Sequence, residues 1–283
     1  MNILMAVKDK VLAALEQARG ERLSGGRLAE TLGVSRAAVH KAISTLRADG
    51  LAIDGVPGEG YRLACDDDSL TAAGVEALLQ TRCIGREIVV VPSLTSTNTV
   101  MKEQYLDRPH GFVLAAEEQT GGRGRLGRSF QSPRGCGLYL TALLRPQLPP
   151  IEVVDFTAWV AVAVCDGIQA ACGVRPGIKW PNDLVLNRKK LCGILTELEW
   201  EAESGDLTEM GLENEINALQ YLVTGIGVNV NQRPEDFSPD VRPIAASLFN
   251  VLGRPVRRSE LAVQIIRALD RMYSAFPQGK ADY

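Results

Sequence analysis

Histidine is almost missing from this chain: His40 and His110 are the two in 283 residues. Neither lies near a strand–turn–helix nucleophile motif or at a metal-ligand spacing, so a Ser-His-Asp relay and a His-rich metal site are poor foundations for any chemistry here. Paired cysteines are missing as well. Cys65, Cys83, Cys136, Cys165, Cys172 and Cys192 are scattered, with no Cys-x-x-Cys among them. That pattern speaks for reduced cytosolic thiols rather than a disulfide frame or a zinc site. No basic stretch leads into an apolar one at the N-terminus, which excludes a signal peptide. The most apolar run, Phe156–Cys165, stops at Asp166 and is too short to span a bilayer. The expectation is a cytoplasmic protein with no membrane partner. Charge of one sign is not in excess either, since the formal net charge is -3. What remains for catalysis is positioning and charge stabilisation.

The length allows two domains. Residues 1–64 read as one of them. Val7, Val11, Leu12 and Leu15 make a helical stripe. Leu28, Ala29 and Leu32 make a second short helix that Gly33 ends. Ser35 caps a third helix with Val39, Ile43 and Leu46 on its buried face. Two helices joined by a tight turn, followed by strands flanking Gly55–Gly60, predict a winged helix-turn-helix. The third helix enters the major groove in such units. Its candidate DNA contacts are Ser35, Arg36, Ala37, His40, Lys41 and Arg47. The unit carries nine Lys/Arg against seven Asp/Glu, a difference of 9 − 7 = +2. That is modest, and a protein-interaction module is the alternative. The basic N-terminal end of the third helix favours DNA.

Residues 65–69 read as an acidic linker. A mixed α/β region follows, with a helix over 70–79, strands at 88–92, 112–118 and 138–144, a long apolar helix over 153–171, strands at 178–180, 183–186, 191–198 and 222–230, and a final helix from Ser259. From Leu191 to Gln232 there is no Lys or Arg. The acidic residues from Glu197 to Glu215 make the segment strongly acidic, and its middle predicts a solvated hairpin extension.

Residues 119–130, Gln-Thr-Gly-Gly-Arg-Gly-Arg-Leu-Gly-Arg-Ser-Phe, fit no core-building rule. Glycine lets backbone approach a ligand closely, and arginine offers a fixed fork of donors to carboxylate or phosphate. The pair predicts a cationic loop that is poorly ordered when empty and closes on an anion. Gly122-x-Gly124-x-x-Gly127 matches a dinucleotide fingerprint by letter. That motif needs a helix to open there, and Ser132-Pro133-Arg134-Gly135 leads into a strand instead. Three other segments stand outside core logic: Ser96-Thr97-Asn98 at a strand-to-helix turn, Lys179-Trp180-Pro181-Asn182-Asp183, and Lys189–Leu195 around Gly193. Alone, the first reads as a helix cap.

In this order, with Gly225-Ile226-Gly227-Val228-Asn229, these segments resemble the biotin–protein ligase family. The winged helix makes the chain similar to its bifunctional repressor form. The resemblance runs from the N-terminus to about residue 275. It implies an α+β fold: an N-terminal winged helix-turn-helix (1–64), a linker (65–69), a mixed-sheet biotinyl/lipoyl-ligase-like catalytic domain (70–245), and a helical segment (246–283). By the same resemblance that segment leads toward an SH3-like domain, expected to be absent or truncated here. The implied chemistry joins biotin and ATP as biotinyl-5'-AMP, with Mg2+, and passes biotin to a lysine of a biotin carboxyl carrier domain. The adenylate would also drive homodimerisation at a sheet edge and binding to operator DNA.

By motif, the resemblance assigns biotin to Ser96, Thr97, Asn98, Gln119, Gly122, Arg123, Gly124, Arg125, Trp180, Lys190 and Gly193, with Trp180 under the ring. It assigns the nucleotide to Arg128, Phe130, Lys179, Asn182, Asp183 and Asn229, and catalysis to Lys190, Arg125 and Arg128. Asp183 has two readings, a water-mediated Mg2+ ligand or a structural partner for an arginine. Phe130 stands where repressor-type members often carry tryptophan. Two alternatives stay open: a biotin-sensing transcription factor without ligation, suggested by the missing C-terminal domain, and a lipoate–protein ligase, disfavoured by the Arg-Gly loop.

Overall fold

The computed structural model describes residues 6–48, 50–64, 68–146, 153, 155–200 and 219–277. They form two compact units, one of residues 1–80 with 257–263, the other of 81–256 with 264–283.

In the first unit, helix α1 (Val7–Gln17) turns Val11, Leu12 and Leu15 inward. Ser24 caps α2 (Gly25–Leu32) by accepting the Arg27 amide, and Gly33 ends it at φ 64. Left-handed backbone of this kind suits glycine at a helix C-terminus. The Ser35 hydroxyl accepts the Ala38 amide at 3.1 Å. It thereby starts α3 (Arg36–Ala48), which buries Val39, Ala42, Ile43 and Leu46. Strands β1 (Ile53–Val56) and β2 (Gly60–Leu63) pair antiparallel as the wing. Gly60, at φ +112, lies so close to the Leu23 carbonyl that a Cβ would sit 2.1 Å from its oxygen. The expected winged helix-turn-helix is therefore present.

The unit also reaches further along the chain than residue 64. Helix α4 (Ala72–Leu78) adds Ala73 to the same core as Val11, Ile43 and Leu63. Asp68, expected in a linker, accepts the Arg258 amide at 2.6 Å and its Nε at 2.8 Å. Glu16, 4% exposed, takes both arms of Arg19 at 2.6 and 2.9 Å. Cys65–Asp67, the rest of that linker, lie outside the described residues.

The second unit is built on a seven-stranded sheet in the order β3-β4-β5-β9-β8-β7-β6. Its strands are β3 (Ile88–Val91), β4 (Val113–Ala116), β5 (Gly137–Leu144), β6 (Gly177–Lys179), β7 (Asp183–Leu186), β8 (Lys189–Trp200) and β9 (Leu219–Asn229). Among the described strands only β3 and β4 run parallel. Their link is helix α5 (Thr97–Gln104), which packs on β4, β5 and β9. Met101, Phe112, Leu114, Leu143 and Val223 fill the space beneath it. Helix α6 (Phe156–Cys172) packs on β6, β7 and β8. It is apolar nearly all round, as a helix buried on most sides must be. Two further helices are α7 (Leu248–Leu252) and α8 (Arg258–Ala275). Gly167 of α6 lets the backbone of Ile265 in α8 approach, since a Cβ there would lie 2.6 Å from the Ile265 Cα.

The arms of the expected acidic hairpin, β8 and β9, stay paired out to Trp200 and Leu219. Residues 201–218, which hold most of the acidic run, lie outside the described residues. Among the described residues no helix is long and apolar enough to cross a membrane.

Candidate functional site

A cleft of about 460 Å3, its open mouth included, lies over the α5 face of the sheet. Its floor is glycine. On that face Gly193 of β8 opposes Gly227 of β9, and Leu195 opposes Gly225. A Cβ on Gly225 would fall 2.2 Å from Asn98 Oδ1, and one on Gly227 would fall 2.7 Å from the Phe130 ring. The Gly225-Ile226-Gly227 segment is thus a floor that two side chains need.

At one end of the cleft stand Ser96, Thr97, Asn98 and Gln119. The sequence alone favoured Ser96 as a helix cap. It does occupy the N-cap position of α5, but its side chain makes no capping bond. Gln119 caps the helix instead, its Oε1 accepting the Thr97 amide at 2.8 Å and the Thr97 hydroxyl at 3.1 Å. Gln119 Nε2 donates to Ser132 Oγ at 2.9 Å. Asn98 is 2% exposed and held on three sides. It accepts from Thr141 Oγ1 at 2.7 Å and donates to the Leu195 carbonyl at 3.0 Å and to Glu197 Oε2 at 2.9 Å. The buried amide is oriented by the protein before any ligand arrives.

The arginine loop folds back on itself. Gly124 N donates to the Arg128 carbonyl at 2.7 Å, and Phe130 N to the Gly122 carbonyl at 2.8 Å. At its tip Leu126 takes φ 59 and is 84% exposed. Arg123, Gly124 and Arg125 line the cleft, and so does Phe130. Gly122 is buried behind them, where a Cβ would meet the Phe130 carbonyl oxygen at 2.3 Å. A strand rather than a helix follows the loop, so the dinucleotide motif has no structural basis here.

Lys190 enters from the other side. The β7–β8 pairing slips by one residue: Leu184 pairs with Cys192 but Val185 pairs with Lys190. Leu191 is the extra residue of a β-bulge, and both it and Cys192 are fully buried. In a regular strand Lys190 would share the face of Cys192, since faces alternate. The bulge re-aims it. Its Nζ lies 3.3 Å from where a Gly193 Cβ would be. The ammonium sits 2.6 Å from Asp183 Oδ1 and 5.8 Å from the Phe130 ring centroid. Of the two readings of Asp183, a partner is found, and it is Lys190 rather than an arginine. The Lys190 backbone is pinned to Ile244 and Ala246 at 2.7 and 2.8 Å. Asn182, in the cleft wall, donates to the Ile194 carbonyl at 3.0 Å.

The other expected residues are placed differently. Asn229 is buried and donates to the Ala246 carbonyl at 3.1 Å. Arg128 and Lys179 are exposed and do not line the cleft. Trp180, expected under a ring, is 70% exposed at the turn before β7 and does not line it either. Leu195, Gly225 and Gly227 line it although they were not singled out for binding. Glu197, the first residue of the acidic run, reaches in beneath Asn98. Among the described residues no group of three or more His, Cys, Asp or Glu side chains could hold a metal ion.

In the first unit Ser35, Arg36, Ala37, His40, Lys41 and Arg47 are all exposed. Arg47 also donates from Nε to the Ile53 carbonyl at 2.8 Å, tying α3 to the wing. Arg22 and Arg62 are paired with Asp54 at 2.7 and 3.1 Å.

Residues 90–208 match the model of the biotin/lipoate A/B protein ligase family, and residues 8–62 match an HTH domain. The chain is 33% identical to the "Bifunctional ligase/repressor BirA" of Bacillus subtilis (strain 168), over 94% of this chain and 78% of the relative. It is 33% identical to the protein of the same name from Escherichia coli (strain K12), over 97% and 79%. Among solved structures it resembles a biotin protein ligase from Aquifex aeolicus in complex with biotin and ATP. There the TM-score is 0.55 at 26% identity, covering 68% of this chain and 72% of that one.

Proposed function

The chain belongs to the biotin/lipoate A/B protein ligase family, and from that premise we propose that it is a biotin–protein ligase whose winged helix also makes it a repressor. The observation that carries the reading is one cleft with a glycine floor, a polar end at Ser96–Asn98 and Gln119, and a cationic end at Arg123, Arg125 and Lys190. A ligand with a compact hydrogen-bonding ring and a carboxylate on a chain fits that layout, and biotin has both.

In the first step a biotin carboxylate oxygen attacks the α-phosphorus of ATP. The bond to the bridging oxygen breaks, pyrophosphate leaves, and biotinyl-5'-AMP remains. Two anions must meet, so the protein's task is electrostatic. Ser96, Thr97, Asn98 and Gln119 hold the ureido ring, with Gln119 fixing Thr97. Arg123 and Arg125 lie along the chain and carboxylate. Lys190 bridges carboxylate and α-phosphate, and Arg128 closes over the phosphates as the loop folds down. Asn182 and Asn229 shape the nucleotide side, with Phe130 as a flat apolar cover. Mg2+ usually takes phosphate oxygens, water and one or two carboxylates. Asp183 is the carboxylate available to it, and the ion would neutralise triphosphate charge. The closed loop then keeps water from the mixed anhydride. In the second step the neutral amine of a carrier-domain lysine attacks the acyl carbon. AMP leaves, a proton is lost, and an amide forms.

Incubation with biotin, ATP and Mg2+ tests the reading directly, with mass spectrometry for biotinyl-5'-AMP and a labelling assay on a carrier domain. Absence of adenylate refutes it. Adenylate without carrier labelling would leave a biotin-sensing transcription factor.

The repressor half predicts its own results. Arg36→Ala and Lys41→Ala should each weaken binding to the control region of biotin genes. Where the lost contact is to phosphate, the slope of log K against log salt should fall by about 0.9 per residue. An unchanged slope and affinity would remove α3 from the interface. Homodimerisation promoted by the adenylate, through a sheet edge, would present two such helices to a palindromic site. Sedimentation should then give a larger species with adenylate than without, and no shift would end that part of the proposal.

A further inference from the structure

Glu197 begins the acidic run of the chain, yet it does not face solvent as its neighbours in sequence would suggest. Its side chain is 23% exposed. It stands on β8 two residues beyond Leu195, on the face of the glycine floor, because strand side chains alternate. One oxygen accepts Asn98 Nδ2 at 2.9 Å. The other accepts Lys102 Nζ of α5 at 2.7 Å and lies 3.6 Å from Arg123 Nη1 of the arginine loop. Arg123 is itself half exposed and also donates to Thr99 Oγ1 at 3.4 Å. Burial raises the Glu197 carboxyl, but hydrogen bonds from Lys102 and Asn98, with the charges of Lys102 and Arg123, outweigh that and hold it below its ordinary value.

Three groups thus converge on one carboxylate, and they serve different parts of the cleft. Asn98 belongs to the polar end. Lys102 is on the body of α5. Arg123 belongs to the loop. Lys102 balances the carboxylate whether or not Arg123 is present, so Arg123 can leave without stranding a partly buried charge. Such an arrangement suits a contact that is made and broken.

We propose that Glu197 is a positioning residue that sets biotin affinity by fixing the Asn98 amide and latching Arg123, and with it the arginine loop, over the occupied cleft. The proposal rests on reading the cleft as a biotin site. It assigns Glu197 no contact with biotin or ATP.

The test uses the full chain with Glu197→Gln, Arg123→Gln and the double variant. Initial rates of adenylate synthesis give KM for biotin, KM for ATP and kcat, with Tm as a check on folding. Glu197→Gln should raise KM for biotin about tenfold and leave KM for ATP within twofold. Arg123→Gln should cost markedly less in the Glu197→Gln background than alone, because contacting residues do not add. If Glu197→Gln fails to fold, Glu197→Asp keeps the charge and draws it back from both partners, and the same ratios apply. An unchanged KM for biotin, strict additivity, or a uniform loss in all constants with a lowered Tm overturns the latch. An unmodified chain that makes no adenylate overturns the ligase reading itself, which is a different result.

Discussion

Lys190→Ala should slow adenylate formation by about 10²–10³-fold, the usual consequence of removing one preorganised group from a developing charge. The effect should fall on kcat and only weakly on biotin affinity, because the ammonium is needed most when carboxylate and phosphate meet. Two features sharpen the expectation. Removal of the side chain takes away the ammonium that pairs with Asp183 at 2.6 Å, so the carboxylate faces the incoming phosphates without it. The backbone of Lys190 is bonded to Ile244 and Ala246 independently of its side chain, so the local fold should persist. Lys190→Arg should not restore the rate, because a planar guanidinium is bulkier than an ammonium beside the Gly193 floor. Single-turnover release of pyrophosphate is the measurement. A rate within threefold of the unmodified chain would remove Lys190 from its assigned role.

Gly225→Ala should be nearly as damaging, although it adds one methyl group. That methyl would lie 2.2 Å from Asn98 Oδ1 and 2.9 Å from its Cγ. Asn98 cannot step aside cheaply, being buried and bonded to Thr141, Leu195 and Glu197. Overpacking of this kind costs about 1–3 kcal/mol of stability. Displacing a ligand-positioning group by about 1 Å can cost roughly 10²-fold in activity. Gly177→Ala is the comparison. Its new methyl would meet Val185 at an ordinary 3.7 Å, and its effect should stay within about 0.5 kcal/mol. Calorimetric titration with biotin and thermal melts of both variants decide the matter. Equal behaviour of the two would mean that the floor has slack.

The winged helix was legible in the sequence because its signals are local. Gly33 and Ser35 are a stop and a cap that act within a few residues, and the apolar stripe follows one helical period. Its extent was not legible. Ala73 joins its core, and Asp68 answers to Arg258 rather than to solvent, by contacts nearly two hundred residues apart in the second case. The cleft was legible as a set of motifs, and most of the residues assigned to it line one space. What the motifs do not show is how each side chain is held. Gln119 and Asn98 spend their polar atoms on the protein, a fact of pairing that no spacing reveals. Trp180 was assigned by resemblance alone, and it stands 70% exposed at the turn before β7. Glu197 was lost in a run of like charge, since a sequence window shows sign but not the face of the strand. The bulge at Leu191, which aims Lys190, needs the partner strand to be seen at all.

Helix α5 takes its cap from another part of the chain. Most helices carry that acceptor on the residue just before the first turn and are insulated from what happens elsewhere. Here the acceptor is Gln119, the first residue of the arginine loop, reaching the Thr97 amide from 22 positions along the chain. A cap contributes about 1 kcal/mol, roughly a fivefold change in how often a first turn frays. Any swing of the loop that carries its base away therefore loosens Ser96–Asn98 in the same movement. An empty cleft and a half-melted helix start would be two views of one equilibrium, and a ligand that seats the loop would also anneal the helix that holds it.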